Sequence, residues 1–175
     1  MKTVTLINPP QPNSLDDRLD PPLGLMYIGA SLRSQGIDTK IIDLSQVSRS
    51  QWKDKIGYAD VYGTTIFTTS FYLCKEINQI ARQNNPNAII VAGGPHSASL
   101  PNQTISEGDF DYVIRGPGEY ALPQLIDSLE KRINIPRIID AKHRLQIWIL
   151  YNFPQEIWLT SIHIIEKLMV NLPQQ

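Results

Sequence analysis

Residues 59–96 read ADVYGTTIFTTSFYLCKEINQIARQNNPNAIIVAGGPH, and their organisation decides the fold. Ala59 to Phe67 is rich in β-branched and aromatic residues, the composition of a buried strand. From Ser70 to Asn84, apolar residues Leu73, Cys74, Ile77, Ile80 and Ala81 recur at helical spacing, and Ser70 suits the N-cap. Pro86 closes that helix, and Ala88 to Ala92 is a second apolar run. It ends in the loop Gly93-Gly94-Pro95-His96. A strand, a helix and a strand in this order form a right-handed parallel crossover.

The pattern repeats on both sides. Upstream, Thr3 to Asn8 (TVTLIN) is a strand halted by Pro9-Pro10, and a polar, Pro-rich stretch runs to Pro22. Pro22 opens a helix with Leu25, Ile28 and Leu32 on one face, ending near Gly36, and Thr39 to Leu44 is the next strand. A short helix is expected over residues 48–57. Downstream come a helical turn around residues 103–108, a strand at Asp111 to Arg115, and a helix after Gly118 with Leu122, Leu125, Ile126 and Leu129 inward. Near-continuous apolar strands alternating with helices predict an α/β fold: a doubly wound, five-stranded parallel sheet of Rossmann-like or flavodoxin-like type.

The character of the chain changes near Pro136. All ten glycines lie at or before Gly118, whereas Trp148 and Trp158 lie in the last part of the chain. Alternation at residues 145–149 suits a strand, and a helix is expected from Pro154. Two parts are therefore expected: a domain over residues 1–136, and a C-terminal appendage over 137–175 that reads as the stub of a further domain, with a tryptophan exposed for a partner.

Composition narrows the function. Lys+Arg 16 against Asp+Glu 17 leave a net charge of -1, so there is no basic excess to neutralise nucleic-acid phosphates. No apolar run reaches the roughly 20 residues of a membrane span, and the N-terminus lacks the pattern of an export signal, so the expected compartment is the cytoplasm. The one cysteine, Cys74, rules out a self-contained iron–sulfur cluster, which takes about four thiolates. It reads as a small buried hydrophobe.

Ligands of a doubly wound sheet bind beyond the carboxyl ends of its strands. There stand the Pro-rich loop after Asn8, the hydroxyls of Thr64, Thr65, Thr68 and Thr69, the Gly93-Gly94 loop, and Gly116-Pro117-Gly118-Glu119. Glycines let a backbone approach a ligand, and hydroxyls hydrogen-bond it. A phosphoacceptor site would need acidic residues where Asn8 and Thr65 stand. A dinucleotide fingerprint matches GPGEYA at 116–121, but it follows the last strand of the set and would set Glu119 against a pyrophosphate. Asp16, Asp17 and Asp20 read as a solvated loop. The three histidines are scattered, and only His96 lies in a ligand-facing loop.

Taken in order, INPP at 7–10, PPLGLMYIGASLRSQG at 21–36, IIDL at 41–44, VAGGPH at 91–96 and GPGEYALPQLI at 116–126 resemble the cobalamin-binding domain that precedes the radical S-adenosylmethionine domain of many bacterial enzymes. The broader cobalamin fold carries S-x-L and, 26–28 residues on, G-G. Here Thr64-x-Ile66 is followed by 26 residues and then Gly93-Gly94. Two departures stand out: Pro117 replaces a usual Glu, and the D-x-H-x-x-G cobalt-ligand motif is absent, as is common in the radical branch. The resemblance implies a corrinoid-binding module, not catalytic alone, with a radical S-adenosylmethionine protein or domain as its partner. The cofactor contacts it implies are Asn8, Pro9, Gly24, Thr64, Thr65, Thr68, Gly93, Gly94, His96, Gly116, Gly118 and Glu119, with no protein ligand to the metal. The alternatives are an interaction domain that has lost its ligand and a nucleotide-binding subunit.

Overall fold

The computed structural model describes residues 2–12, 21–45 and 47–141. The strand, helix and tryptophan expectations for residues 145–175 lie outside these, as do Asp16, Asp17 and Asp20. The strands are β1 (Val4–Asn8), β2 (Thr39–Asp43), β3 (Val61–Thr65), β4 (Ile89–Gly93), β5 (Tyr112–Arg115) and β6 (Ile138–Asp140). The helices are α1 (Leu23–Ser34), α2 (Trp52–Ile56), α3 (Phe71–Asn84), α4 (Pro95–Ser99), α5 (Pro101–Gly108) and α6 (Gly118–Glu130).

The sheet runs in the order β2-β1-β3-β4-β5-β6, and every pair is parallel. The α/β reading and its doubly wound parallel sheet hold. The strand count becomes six, because β6 adds to β5 with Val113 opposite Ile138. Three residues are too few to show a period, and so the sheet runs past the boundary placed at Pro136. Two other differences concern helices. α4 replaces part of the expected glycine loop because Pro95, fixed near helical φ, occupies its first turn. α5 is a full eight-residue helix that also begins on a proline, Pro101.

Alternation along the strands splits the core into two layers. Val4, Leu6, Val61, Val91 and Ile114 meet Leu25, Leu32, Leu122, Leu125 and Ile126, which belong to α1 and α6. Ile7, Tyr62, Ile90 and Val113 face the other way, towards Trp52, Ile56, Leu73, Cys74, Ile77 and Phe110. Burial alone pushes the Cys74 thiol up to about 12, which makes it the inert hydrophobe that its position in the sequence suggests.

A proline ties the first layer together. Pro123 lies inside α6 and has no N–H, so the carbonyl of Glu119 one turn earlier loses its helical partner. Ser31 of α1 supplies the replacement, its hydroxyl donating to Glu119 O at 2.6 Å. A hydrogen bond that would lie within α6 thus joins α6 to α1.

Candidate functional site: a cleft between two helix N-termini

Strand order reverses between β1 and β3, because the chain steps outward to β2 on one side and to β3 on the other. Crevices at such points are the binding sites of open α/β sheets. Beside this point, on the α1/α6 face, lies a cleft of about 240 Å³. Leu6, Leu25, Ile28, Val91, Ile114 and Leu122 give it apolar walls. Gly24, Gly63, Thr64, Thr65, Ala92, Gly93 and Gly94 line it as well, with Gly116 to Glu119 along one rim.

Small residues keep the cleft open. A Cβ at Gly93 or at Gly24 would meet nothing within 4 Å, so a side chain there would enter the cleft unopposed. Gly94 is different. Its φ is +94° and its ψ 179°, a conformation closed to L side chains. A Cβ there would stand 2.7 Å from Ile66 N and 3.0 Å from Ile66 O. Gly94 therefore serves to dock the start of α4 against the end of β3.

The register decides which hydroxyl faces the cleft. Gly63 lies on the α1/α6 face, since its Cβ would come 2.9 Å from Leu6 Cδ2 and 3.8 Å from Leu122 Cδ2. Thr65, two residues on, shares that face. Thr64 gives the cleft its backbone and turns its hydroxyl to the other side of the sheet, where Oγ1 is buried without a partner among the described residues.

The rim carries donors. α1 and α6 both begin at the cleft, and neither has a side-chain cap among the described residues. The first-turn N–H groups of Gly24 and Leu25 in α1, and of Gly118 and Glu119 in α6, have no partner within their own helices. Such ends attract anions, while the Glu119 carboxylate in the same turn of α6 opposes them. The site thus suits a flat, mostly apolar ring inside and an anionic or polar group at the mouth.

Of the expected contacts, the structure gathers Gly24, Thr64, Thr65, Gly93, Gly94, Gly116, Gly118 and Glu119 around this cleft. Asn8, Pro9, Thr68 and His96 do not line it. Asn8 instead donates its side-chain amide to Asp43 Oδ1 at 3.1 Å, while Pro9 is buried at the end of β1. His96 is 4% exposed and stacks on Phe71 in α3, 4.4 Å between ring centres. Its backbone N–H donates to Ile66 O at 3.0 Å, Nδ1 pairs with Thr68 Oγ1 at 3.2 Å, and Nε2 has no partner among the described residues. Burial holds the imidazole below its ordinary pKa, against an opposing pull from Glu107. His96 stands apart from this cleft because α4 begins at Pro95 and carries the ring to the α3 side of the sheet. The apolar walls escaped the sequence reading, since a core leucine and a cleft leucine look alike in sequence. The available signal was glycine at inward strand positions, Gly63 and Gly93.

The B12 binding domain family profile matches residues 20–126. The chain belongs to the B12-binding domain family. This bears out the resemblance carried by the motifs, and cobalamin is the cofactor of the family. Among curated proteins, the B12-binding chain is 30% identical over 152 residues to an uncharacterized methyltransferase of Pyrococcus horikoshii, which covers 81% of this chain and 32% of that protein. It is 31% identical over 116 residues to the anaerobic magnesium-protoporphyrin IX monomethyl ester cyclase of Cereibacter sphaeroides, covering 63% and 19%. It is also 31% identical over 126 residues to the hopanoid C-3 methylase of Methylococcus capsulatus, covering 67% and 24%. The chain therefore spans a third or less of the length of these relatives. Among solved structures, the radical S-adenosylmethionine methyltransferase TsrM from Kitasatospora setae, with cobalamin and an iron–sulfur cluster bound, matches with a TM-score of 0.64 at 20% identity, over 75% of this chain and 25% of that one. The isolated REC domain of RcsB from Salmonella enterica serovar Typhimurium matches with a TM-score of 0.51 at 16% identity, over 83% and 97%. At such identities the likeness is one of fold. A sheet shared with a response regulator does not choose a ligand, and the B12-binding assignment rests on the sequence profile.

Among the described residues, no three His, Cys, Asp or Glu side chains converge on a metal site, and no helix is long and apolar enough to cross a membrane. The cleft fits the cofactor on its own terms. Gly93 and Gly24 leave room that any side chain would fill, and the uncapped N–H groups at the rim can bind a phosphate such as the cofactor carries.

Proposed function

We propose that this B12-binding domain takes the nucleotide tail of cobalamin into the cleft between α1 and α6. The corrin then lies over the carboxyl edge of the sheet, where it serves a radical S-adenosylmethionine partner within or outside the same polypeptide. The observation that carries this reading is the glycine-kept cleft beside the strand-order reversal, with Gly93 at its open centre. Bound, the cofactor supplies a redox-active cobalt centre.

The residues of this chain bind and orient. Leu6, Val91, Ile114 and Leu122 remove a flat ring from water, Thr65 offers a hydroxyl, and the first turns of α1 and α6 offer N–H groups to the phosphate. Asn8 and Pro9 at the end of β1, and Thr68 three residues beyond β3, are assigned in this reading to the corrin and not to its tail. His96 holds the turn after β3 through Thr68 and acts as a positioning residue. In this reading the chain does no chemistry alone, and its compartment is the cytoplasm.

The test is retention. Purified chain mixed with hydroxocobalamin and desalted should keep near-stoichiometric visible absorbance, and Gly93→Leu should lose it while staying folded. A chain that keeps no absorbance, or is stabilised against heat by NAD or ATP instead, refutes the proposal.

A further inference from the structure

Resting on the reading that the nucleotide tail enters the cleft, we propose that the cleft selects among cobamides by their lower base, accepting apolar bases such as dimethylbenzimidazole and rejecting adenine. The argument is one of partners. Walls of Leu6, Leu25, Ile28, Val91, Ile114 and Leu122 carry no polar side-chain atom. Three carbonyls around them are already engaged. Gly93 O accepts from Ile66 N–H at 2.8 Å, and Gly94 O accepts from Ala98 N–H at 3.0 Å and from Ser97 Oγ at 3.0 Å. Glu119 O, beside the rim, accepts from Ser31 Oγ at 2.6 Å. The remaining backbone of β3 and β4 is paired in the ladder, with Gly63 opposite Val91 and Thr65 opposite Gly93.

Among the described residues this leaves the Thr65 hydroxyl inside the cleft, with the Glu119 carboxylate and the first-turn N–H groups of α1 and α6 at the rim, where in this reading the phosphate takes the N–H groups. Dimethylbenzimidazole displaced from cobalt has a single free ring nitrogen, which one hydroxyl satisfies. Adenine has an exocyclic amine and ring nitrogens on several edges, and most would be stripped of water with nothing in return. Unpartnered buried polar groups are among the costliest features of an interface. A cresol base has no ring nitrogen at all and belongs with the accepted group.

The experiment compares cobalamin, its adenine-based analogue, a cresol-based cobamide and cobinamide, which lacks the nucleotide tail. Each is titrated calorimetrically into the full chain. Expected are an adenine form at least tenfold weaker than cobalamin, a cresol form close to cobalamin, and cobinamide weaker than either. Gly93→Leu should collapse the spread among the four, and Gly24→Leu gives the same readout if circular dichroism shows the first variant unfolded. Equal affinity for the adenine and dimethylbenzimidazole forms overturns the selectivity while leaving corrinoid binding intact. Cobinamide binding as tightly as cobalamin overturns it too, because the tail then contributes nothing. If no corrinoid binds, the proposed function falls and the selectivity falls with it.

Discussion

Two adjacent glycines should respond in opposite directions to the same substitution. Gly94→Ala forces a side chain onto φ +94°, ψ 179°, a region that costs a non-glycine residue about 1–3 kcal/mol. The new Cβ also meets Ile66 N at 2.7 Å and Thr65 Oγ1 at 2.9 Å. The backbone of Ile66 cannot retreat, since its N–H is bound to Gly93 O at 2.8 Å and its carbonyl accepts from His96 N–H at 3.0 Å. Overpacking of this kind adds about 1–3 kcal/mol, for a total of about 3 kcal/mol. In a domain of this size that lowers Tm by about 10 °C. Gly93→Ala meets nothing within 4 Å and needs no positive φ. By restricting the unfolded chain it should raise stability by about 0.5 kcal/mol. Thermal and urea unfolding of the two variants, followed by far-ultraviolet circular dichroism, gives the comparison. Equal losses, or a Gly94→Ala as stable as the parent chain, would refute the assignment of Gly94 to packing and Gly93 to the cleft.

The buried imidazole of His96 gives a pH dependence. Its pKa is lowered in the fold, so the unfolded chain takes up the proton first. Stability should be full above about pH 6.5 and decline as the pH falls below that value. His96→Gln should flatten this slope in urea midpoints measured at pH 7.5 and 5.5; an unchanged slope counts against it. Because His96 lies under Phe71 on the α3 side, bound cob(II)alamin should show no nitrogen splitting from it, and an electron paramagnetic resonance signal that loses nitrogen splitting in His96→Ala would contradict the structure. Cys74, buried with its thiol raised to about 12, should resist iodoacetamide under native conditions and react fully only in denaturant. Iron reconstitution should likewise yield no stoichiometric cluster, which a strong cluster absorbance would disprove.

The central strands β1 and β4 were legible because they are largely buried on both faces and so are mostly apolar, as in IIVA of β4. What the sequence hid follows from shortness and from facing. β6 has three residues, below any period; α4, five residues long and opened by Pro95 after two glycines, reads as loop, and α5 shows only as a turn because its first residues, from Pro101, carry no apolar pattern. At the site, glycines at strand ends marked the cleft, yet Thr64 and Thr65 are indistinguishable until the pairing of Gly63 with Val91 fixes which of them faces α6. Leu6 and Leu122 carry the same mark as core residues because they are core residues along part of their surface. The side on which His96 lies was hidden for a related reason: a residue after a strand turns to a different side of the sheet once a helix starts beneath it.

The bond from Ser31 to Glu119 makes the history of two positions depend on order. Ser31→Ala alone strands the Glu119 carbonyl beside Pro123, at a cost of about 1–3 kcal/mol. Pro123→Ala restores an N–H within α6, after which the serine is dispensable and the same Ser31→Ala becomes nearly silent. A lineage that loses the proline first is free to vary the serine, whereas one that loses the serine first passes through a weakened protein. Chains of this family that keep proline at this point in the helix should therefore keep a donor on the facing helix, and the two should drift together.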